Sequence, residues 1–422
     1  MREDFLHFLW RWRRFDSNDL RTTDGQALEI LHPGELNQHA GPDFFNARVR
    51  IGTTLWAGNV EMHLKASDWL AHRHDNDPAY DNVVLHVALD EDRPLSRPTG
   101  ERLPCLELRH RIPASLLEKY QRLEHERAWV PCERLFGSVP EIVRTNWMER
   151  LLVERLEQKT AAVQQAVEDA EHNWEEAFYR VLARYFGLKV NVEPFEMLAR
   201  SLPLRLLAKH QNSQFQIEAL LFGQSGLLDA PFTDEYPAAL AKEYQFLRHK
   251  YALSPLSASQ WKFFRLRPAG FPTVRIAQLA ELLHHSTLLF SAVLATRNVA
   301  ELEQIFQVSA NGFWSTHFHF HKTTAPQAKS LGREFVHLLL INAVAPFLFH
   351  YGRSKRFFEH QDRALQLLEE LPPESNTVVD TWAKLGQKAL NAAQSQALLQ
   401  LKLNYCEPKR CLECAIGTAI LR

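Results

Sequence analysis

The stretch that decides the fold is GPDFFNARVRIGTTLWAGNVEMHLK, residues 41–65. From Phe44 to Ile51 the residues alternate. Phe45, Ala47, Val49 and Ile51 fall on one face and Asn46, Arg48 and Arg50 on the other, the period of two expected of a strand with one covered face. Gly52 ends this run. A second alternating run follows from Thr53 to Lys65, with Val60, Met62 and Leu64 opposite Glu61, His63 and Lys65. Gly52-Thr53 therefore reads as a hairpin turn. Gly58 inside the second run predicts a bulge or a close backbone approach. Asp43 sits at the mouth of the first strand. Strict alternation gives it the phase of Phe45 and Ala47, but it follows Gly41-Pro42, before regular pairing begins.

Upstream, Phe5, Leu6, Phe8, Leu9, Trp10, Trp12 and Phe15 predict a short aromatic-rich helix over 5–15, and residues 27–31 predict a strand stopped by Pro33-Gly34. Downstream, residues 67–72 predict a short capped helix, residues 83–89 an apolar strand, and residues 103–108 another, with a Pro-rich loop over 93–98 between the last two. After Pro113 the pattern turns helical over 116–127, 142–170, 174–186 and on through 392–405. The expected fold class is α+β: an N-terminal α/β core of helix, three strands, helix and strand, followed by a large all-α region. The expected boundaries are 1–130, 131–405 and a cysteine-rich segment 406–422. No fixed-period repeat is present, so a solenoid is not expected.

The chain has 422 residues, 45% of them hydrophobic and 23% charged, with 26 Phe and 10 Trp, ordinary composition for more than one packed core. Lys plus Arg is 49 and Asp plus Glu is 50, so any contact with nucleic acid must be local rather than a bulk electrostatic effect. The charged start Met1-Arg2-Glu3-Asp4 lacks a secretory pattern. The apolar run 335–349 is short and broken by His337, Asn342 and Pro346, which predicts a buried helix rather than a membrane span. Five cysteines make no disulfide framework. The expected location is cytoplasmic. No Walker loop, GxGxxG fingerprint or GxSxG elbow occurs.

Pairing through the Gly52-Thr53 turn brings Asp43 near Glu61. Two converging carboxylates suit a hard divalent cation, Mg²⁺ or Mn²⁺. His63 or Lys65 beside them would position or activate a water for attack on phosphorus. Glu35, in the loop before Asp43 with Asn37 and His39, is a candidate third acidic ligand or an ordinary loop carboxylate. The bland reading makes Glu61, His63 and Lys65 a solvated strand face and Asp43 a turn residue.

This stretch and its element order resemble the PD-(D/E)XK nuclease superfamily over about residues 5–90. The resemblance implies a restriction-endonuclease-like core in which Pro42-Asp43 takes the Pro-Asp position. It places the acidic-x-Lys triplet on Glu61-Met62-His63. Here the sequence departs: His63 stands where the superfamily has Lys, and Lys65 lies two positions on. The resemblance implies a metal-dependent nuclease acting on nucleic acid, DNA ahead of RNA. The other expectation is a catalytically inactive nuclease-like scaffold or nucleic-acid-binding protein. A protein partner through the helical region is a further expectation. Taken whole, the chain is similar to a bacterial family known as domain of unknown function 2851. The carriers are Gly41-Pro42-Asp43-Phe44, Gly58-Asn59-Val60-Glu61-Met62-His63, Asp68-Trp69, Ala79-Tyr80-Asp81-Asn82-Val83, Phe271-Pro272 and Cys411-Leu412-Glu413-Cys414-Ala415-Ile416-Gly417.

Further clusters stand outside that motif. His72, His74, Asp75, Asp77, Tyr80 and Asp81 crowd one loop. The set suits Zn²⁺ or a general acid but lacks a diagnostic spacing and reads mostly as an ordinary polar loop. His86, between Leu85 and Val87, reads as a satisfied sheet histidine. Cys406-x4-Cys411-x2-Cys414 suits tetrathiolate coordination of Zn²⁺ or an iron–sulfur cluster, with Cys132 as the expected fourth ligand and Cys105 structural. Such a site would staple the C-terminus back to the end of the α/β part. Some nucleases of the RecB-like branch carry a comparable four-cysteine staple; here the lone Cys follows the strands instead of preceding them. The basic–aromatic run 261–275 and the alternate histidines 317, 319 and 321 read as core-edge packing.

Overall fold

A computed structural model of the chain describes residues 1–37, 39–97 and 99–422. The chain divides into two compact units. Met1–Trp147 together with Leu401–Arg422 forms one, and Met148–Gln400 forms the other. The boundary thus lies later than residue 130, and the cysteine-rich end belongs to the same unit as the strands.

The first unit opens with α1, Glu3–Trp12. Glu3 and Asp4 in its first turn and Arg11 in its last suit the helix dipole. Phe5, Leu6, Phe8, Leu9 and Trp10 are buried. The helix stops short of Phe15 because Arg13 turns left-handed, with φ 48°, and closes the last turn with its own N–H. Among the described residues six strands follow: β1 Leu28–His32, β2 Glu35–Leu36, β3 Phe44–Ile51, β4 Thr54–Lys65, β5 Val83–Asp90 and β6 Cys105–Glu107. The order across the sheet is β1-β3-β4-β5-β6, with β2 also on β3. The pairs β1·β3, β2·β3 and β3·β4 are antiparallel, and β4·β5 and β5·β6 are parallel. The crossover from β4 to β5 carries the short helix α2, Asp68–Ala71, and two single turns, His74–Asn76 and Pro78–Tyr80. In the loop expected over 93–98, Pro98 lies outside the described residues.

The β3–β4 hairpin closes at Gly52-Thr53, with Ile51 opposite Thr54. Its register slips between Phe44 and Ala47, where Asn46 takes φ 59°. This bulge inserts one residue, so Phe44 is buried on the same face as Ala47, Val49 and Ile51. Asp43 is thereby moved off the apolar phase that strict alternation assigns it. Gly58 lies against β5: a Cβ there would meet Val84 Cγ1 at 2.4 Å and the Asn82 carbonyl at 2.6 Å. β5 is buried on both faces from Val83 to Ala88, as a strand in the parallel half of a sheet is. Two helices follow, α3 Ala114–His125 and α4 Glu141–Asp169; α4 runs through the unit boundary.

The second unit is helical apart from a small hairpin, His317–His319 with Lys322–Thr323. Its apolar helix over Arg333–Lys355 is long and apolar enough by composition to cross a membrane, but 72% of its apolar window is buried, as in a core helix. The turn Leu340–Val344 widens to π geometry just before Pro346, which has no N–H to give. In the basic–aromatic run Trp261 is buried and donates to the Ser225 carbonyl, and the Arg275 guanidinium lies 3.6 Å over the Phe335 ring. Phe264, in contrast, is exposed.

Candidate metal centre

The bulge in β3 and the register of β4 set Asp43 across from Glu61, and each fixes the other. The Asp43 backbone N–H donates to Glu61 Oε2 at 3.0 Å, and the Met62 N–H donates to Asp43 Oδ2 at 2.9 Å. Glu61 Oε1 is left facing imidazoles. His74 Nε2 lies 3.4 Å away and His63 Nε2 3.7 Å away. His63 Nε2 is also 3.2 Å from His72 Nδ1. Among the described residues, His63, His72 and His74 form a group whose ligand atoms all lie within 4.8 Å of one another. Tetrahedral ligands at about 2.0–2.1 Å from a zinc ion stand about 3.3 Å apart, and the His63–His72 and His74–Glu61 contacts are near that spacing.

The parallel pairing of β4 with β5 sets Glu61 beside His86 and brings the two buried imidazoles together. His63 Nδ1 lies 3.0 Å from His86 Nε2, and His86 Nδ1 lies 3.9 Å from Cys105 Sγ. The chain is satisfied when His63 donates to His86 and His86 to sulfur. That assignment leaves the His63 Nε2 lone pair pointing at His72 and Glu61. The histidine read as a satisfied sheet residue thus also orients a candidate ligand. Tyr80 stacks on His74, with ring centroids 3.8 Å apart, and Trp69 meets His63, His74 and His86 edge-on.

Burial dominates the electrostatics. It pushes Glu61 up to about 9, with Asp43 adding to the rise, and pushes His63 down to about 2, with His86, His74 and His72 adding to the fall. His86 falls to about 4 through burial, and His74 falls through burial and His72. Tyr80 rises to about 12 through burial and the two carboxylates. A Glu61 carboxyl held protonated and a His63 imidazole held neutral are the state a divalent ion would relieve, because it accepts neutral nitrogen and displaces the carboxyl proton.

Two residues of the site escape the sequence reading. His7 Nε2 lies 3.2 Å from Asp43 Oδ2, and Glu3 is pushed up by burial and by Asp43. Both project from α1, one turn apart, and they are its half-buried polar positions beside a fully apolar face. That spacing was the available signal. Lys65 and Glu35 do not join the cluster. Lys65 is exposed at the end of β4, where its N–H meets Asp68 at 3.1 Å. Glu35 is exposed in β2, paired with Phe45. Of the loop acids, Asp77 caps the turn at Ala79 and Asp75 holds Asn76.

Fold and site together define a mixed α/β protein with a strand-containing N-terminal region, a large helical part, and a carboxylate–histidine cluster built on the central strands. The chain belongs to the family described as Protein of unknown function (DUF2851), whose model matches residues 3–377. No curated protein and no solved structure matches it.

Proposed function

We propose that the chain is a divalent-metal-dependent phosphodiesterase acting on nucleic acid, DNA ahead of RNA. The observation that carries this reading is the pair Asp43–Glu61 with the His63 and His74 imidazoles against the Glu61 carboxylate and His72 beside His63. The order of helix, antiparallel strands, short helix and parallel strand supports it, because that is the arrangement expected of a PD-(D/E)XK core. Glu61, His63, His72 and His74 would hold the ion, and three nitrogen ligands favour Mn²⁺ or Zn²⁺ over Mg²⁺. When bound, the ion would supply Lewis acidity towards a phosphoryl oxygen and a water of lowered pKa. The Asp43 backbone N–H fixes the Glu61 carboxylate, His86 fixes the His63 ring, and His7 and Glu3 complete the rim around Asp43.

The test is cleavage of labelled single- and double-stranded DNA and RNA with Mn²⁺, comparing the wild type with Glu61→Ala. Loss of cleavage in the variant is expected; cleavage unaffected by it would discard this reading. One observation favours the second reading, an inactive nuclease-like scaffold that binds nucleic acid. The cationic side chain that the superfamily pattern calls for is absent from the cluster, since Lys65 faces solvent. That reading expects binding of the same probes without metal-dependent cleavage.

A further inference from the structure

Four of the five cysteines meet in the first unit, away from the carboxylate–histidine cluster. Cys132 lies in a turn closed by the Leu135 N–H on its carbonyl at 2.9 Å. Cys406 ends a π-turn, Lys402–Cys406, after which the chain doubles back: the Arg410 N–H reaches the Tyr405 carbonyl at 2.8 Å, and Lys409 is left-handed with φ 57°. Cys411 follows, and Cys414 caps the helix Ala415–Leu421. All four side chains line one small cavity with Tyr405 and Ile416. None is in a disulfide, and Cys132, Cys406 and Cys414 are buried.

Burial pushes all four thiols up, and polar and cationic groups stand around the sulfurs. The Cys414 sulfur receives the backbone N–H groups of Ile416 and Gly417 and the indole N–H of Trp147. Lys402 faces Cys406, and Lys409 and Arg2 face Cys411. The turn is pressed onto the helix so closely that a Cβ on Gly417 would stand 2.1 Å from the Cys411 carbonyl. Cys105 is separate, beside His86.

We infer that Cys132, Cys406, Cys411 and Cys414 bind a thiophilic metal centre, a zinc ion or an iron–sulfur cluster, that fastens residues 401–422 to the turn after Val130. Coordination of a divalent zinc ion by four thiols releases four protons and leaves a dianionic complex. Lys409 beside Cys411 offsets part of that charge. The centre is structural in this reading, and it stands whether or not the carboxylate–histidine cluster is catalytic.

The experiment uses full-length protein purified anaerobically, with zinc, iron and acid-labile sulfide measured and the metal's ligand shell read by X-ray absorption. One sulfur-ligated centre per chain is expected. Zinc in a sulfur shell without sulfide identifies a single ion at the cysteines, and iron with matching sulfide identifies a cluster. The centre should persist in Cys105→Ser and vanish in the double variant Cys411→Ser/Cys414→Ser. Neither metal above background, a shell of nitrogen and oxygen alone, or a sulfur shell surviving in the double variant overturns the inference. The wild-type spectrum decides the matter if that variant does not fold.

Discussion

Lys159 in the second unit and His63 in the first are both ionisable side chains enclosed by polar groups, yet their partners differ in kind. The Lys159 ammonium donates to Asn342 Oδ1 at 2.8 Å and Gln396 Oε1 at 2.6 Å. The amides of Asn342 and Gln396 in turn donate to the Glu374 carboxylate. Each nitrogen there meets at least one acceptor, so the network orders the helices that carry it. Around His63, nitrogen faces nitrogen and a protonated carboxyl, and among the described residues the basic side chains against Asp43 and Glu61 are histidines rather than lysine or arginine. Lone pairs that face one another are satisfied by a cation. A buried network of donors on acceptors is a structural device, whereas converging lone pairs make a binding site.

The sharpest way to break this comparison is Glu61→Gln. The wild type should gain stability with Mn²⁺ or Zn²⁺, by about 2.7 kcal/mol at a hundredfold excess over Kd. The variant should lose that gain and any metal-dependent cleavage while its metal-free stability stays near the wild type's, because Glu61 is already held protonated. Thermal unfolding with and without metal reads this directly, and an equal shift in both proteins would remove Glu61 from the site. Next in size is His86→Phe, which leaves the ligands in place but frees the His63 ring. Metal affinity should fall by about 10–100-fold, the usual effect of losing a group that orients a ligand. Calorimetric titration checks it, and unchanged affinity would mean that His63 is positioned by other contacts.

Lys159 tests the other side of the comparison. Burial and Arg155 pull its ammonium down to about 7, against about 10.4 in the unfolded chain. Below pH 7 both states are protonated and the folded state bears the whole cost of enclosing the charge. Between pH 7 and about 10 the unfolded chain binds more protons, so stability rises with pH, by at most about 1.4 kcal/mol per pH unit from this group. In Lys159→Met that contribution should disappear, as denaturant melts on either side of about pH 8.5 would reveal; identical pH slopes in the two proteins would show that the ammonium is not desolvated. The smallest effect is expected from Lys65→Ala. With its side chain in solvent, cleavage and metal affinity should stay at wild-type levels, and a large loss would return Lys65 to the site.

Alternation along 44–51 and 54–65 made the β3–β4 hairpin legible, and its turn at Gly52-Thr53 follows from local chain chemistry. The approach of Asp43 to Glu61 follows from that hairpin, but the phase of Asp43 does not. It depends on a left-handed Asn46, which a non-glycine residue adopts only when the surrounding sheet requires it. Glu3 and His7 were hidden because the period of a helix tells which face is apolar, not which strand its polar positions will meet. His72 and His74 were legible as part of a crowded polar loop, but their approach to His63 was not, because single turns carry no period.

What the sequence alone determined is therefore local: the elements, the hairpin, the crowding of histidines in one loop and the close cysteines at the end. Their convergence was decided by the tertiary structure. The parallel placement of β5 beside β4 set His86 behind His63, the crossover loop returned His72 and His74 over the sheet, and the first unit drew Cys132 to the C-terminal turn. The physical reason is that hydrogen bonding and side-chain period act over a few residues, whereas burial of apolar faces brings distant segments together and sets which polar groups must share one enclosed space.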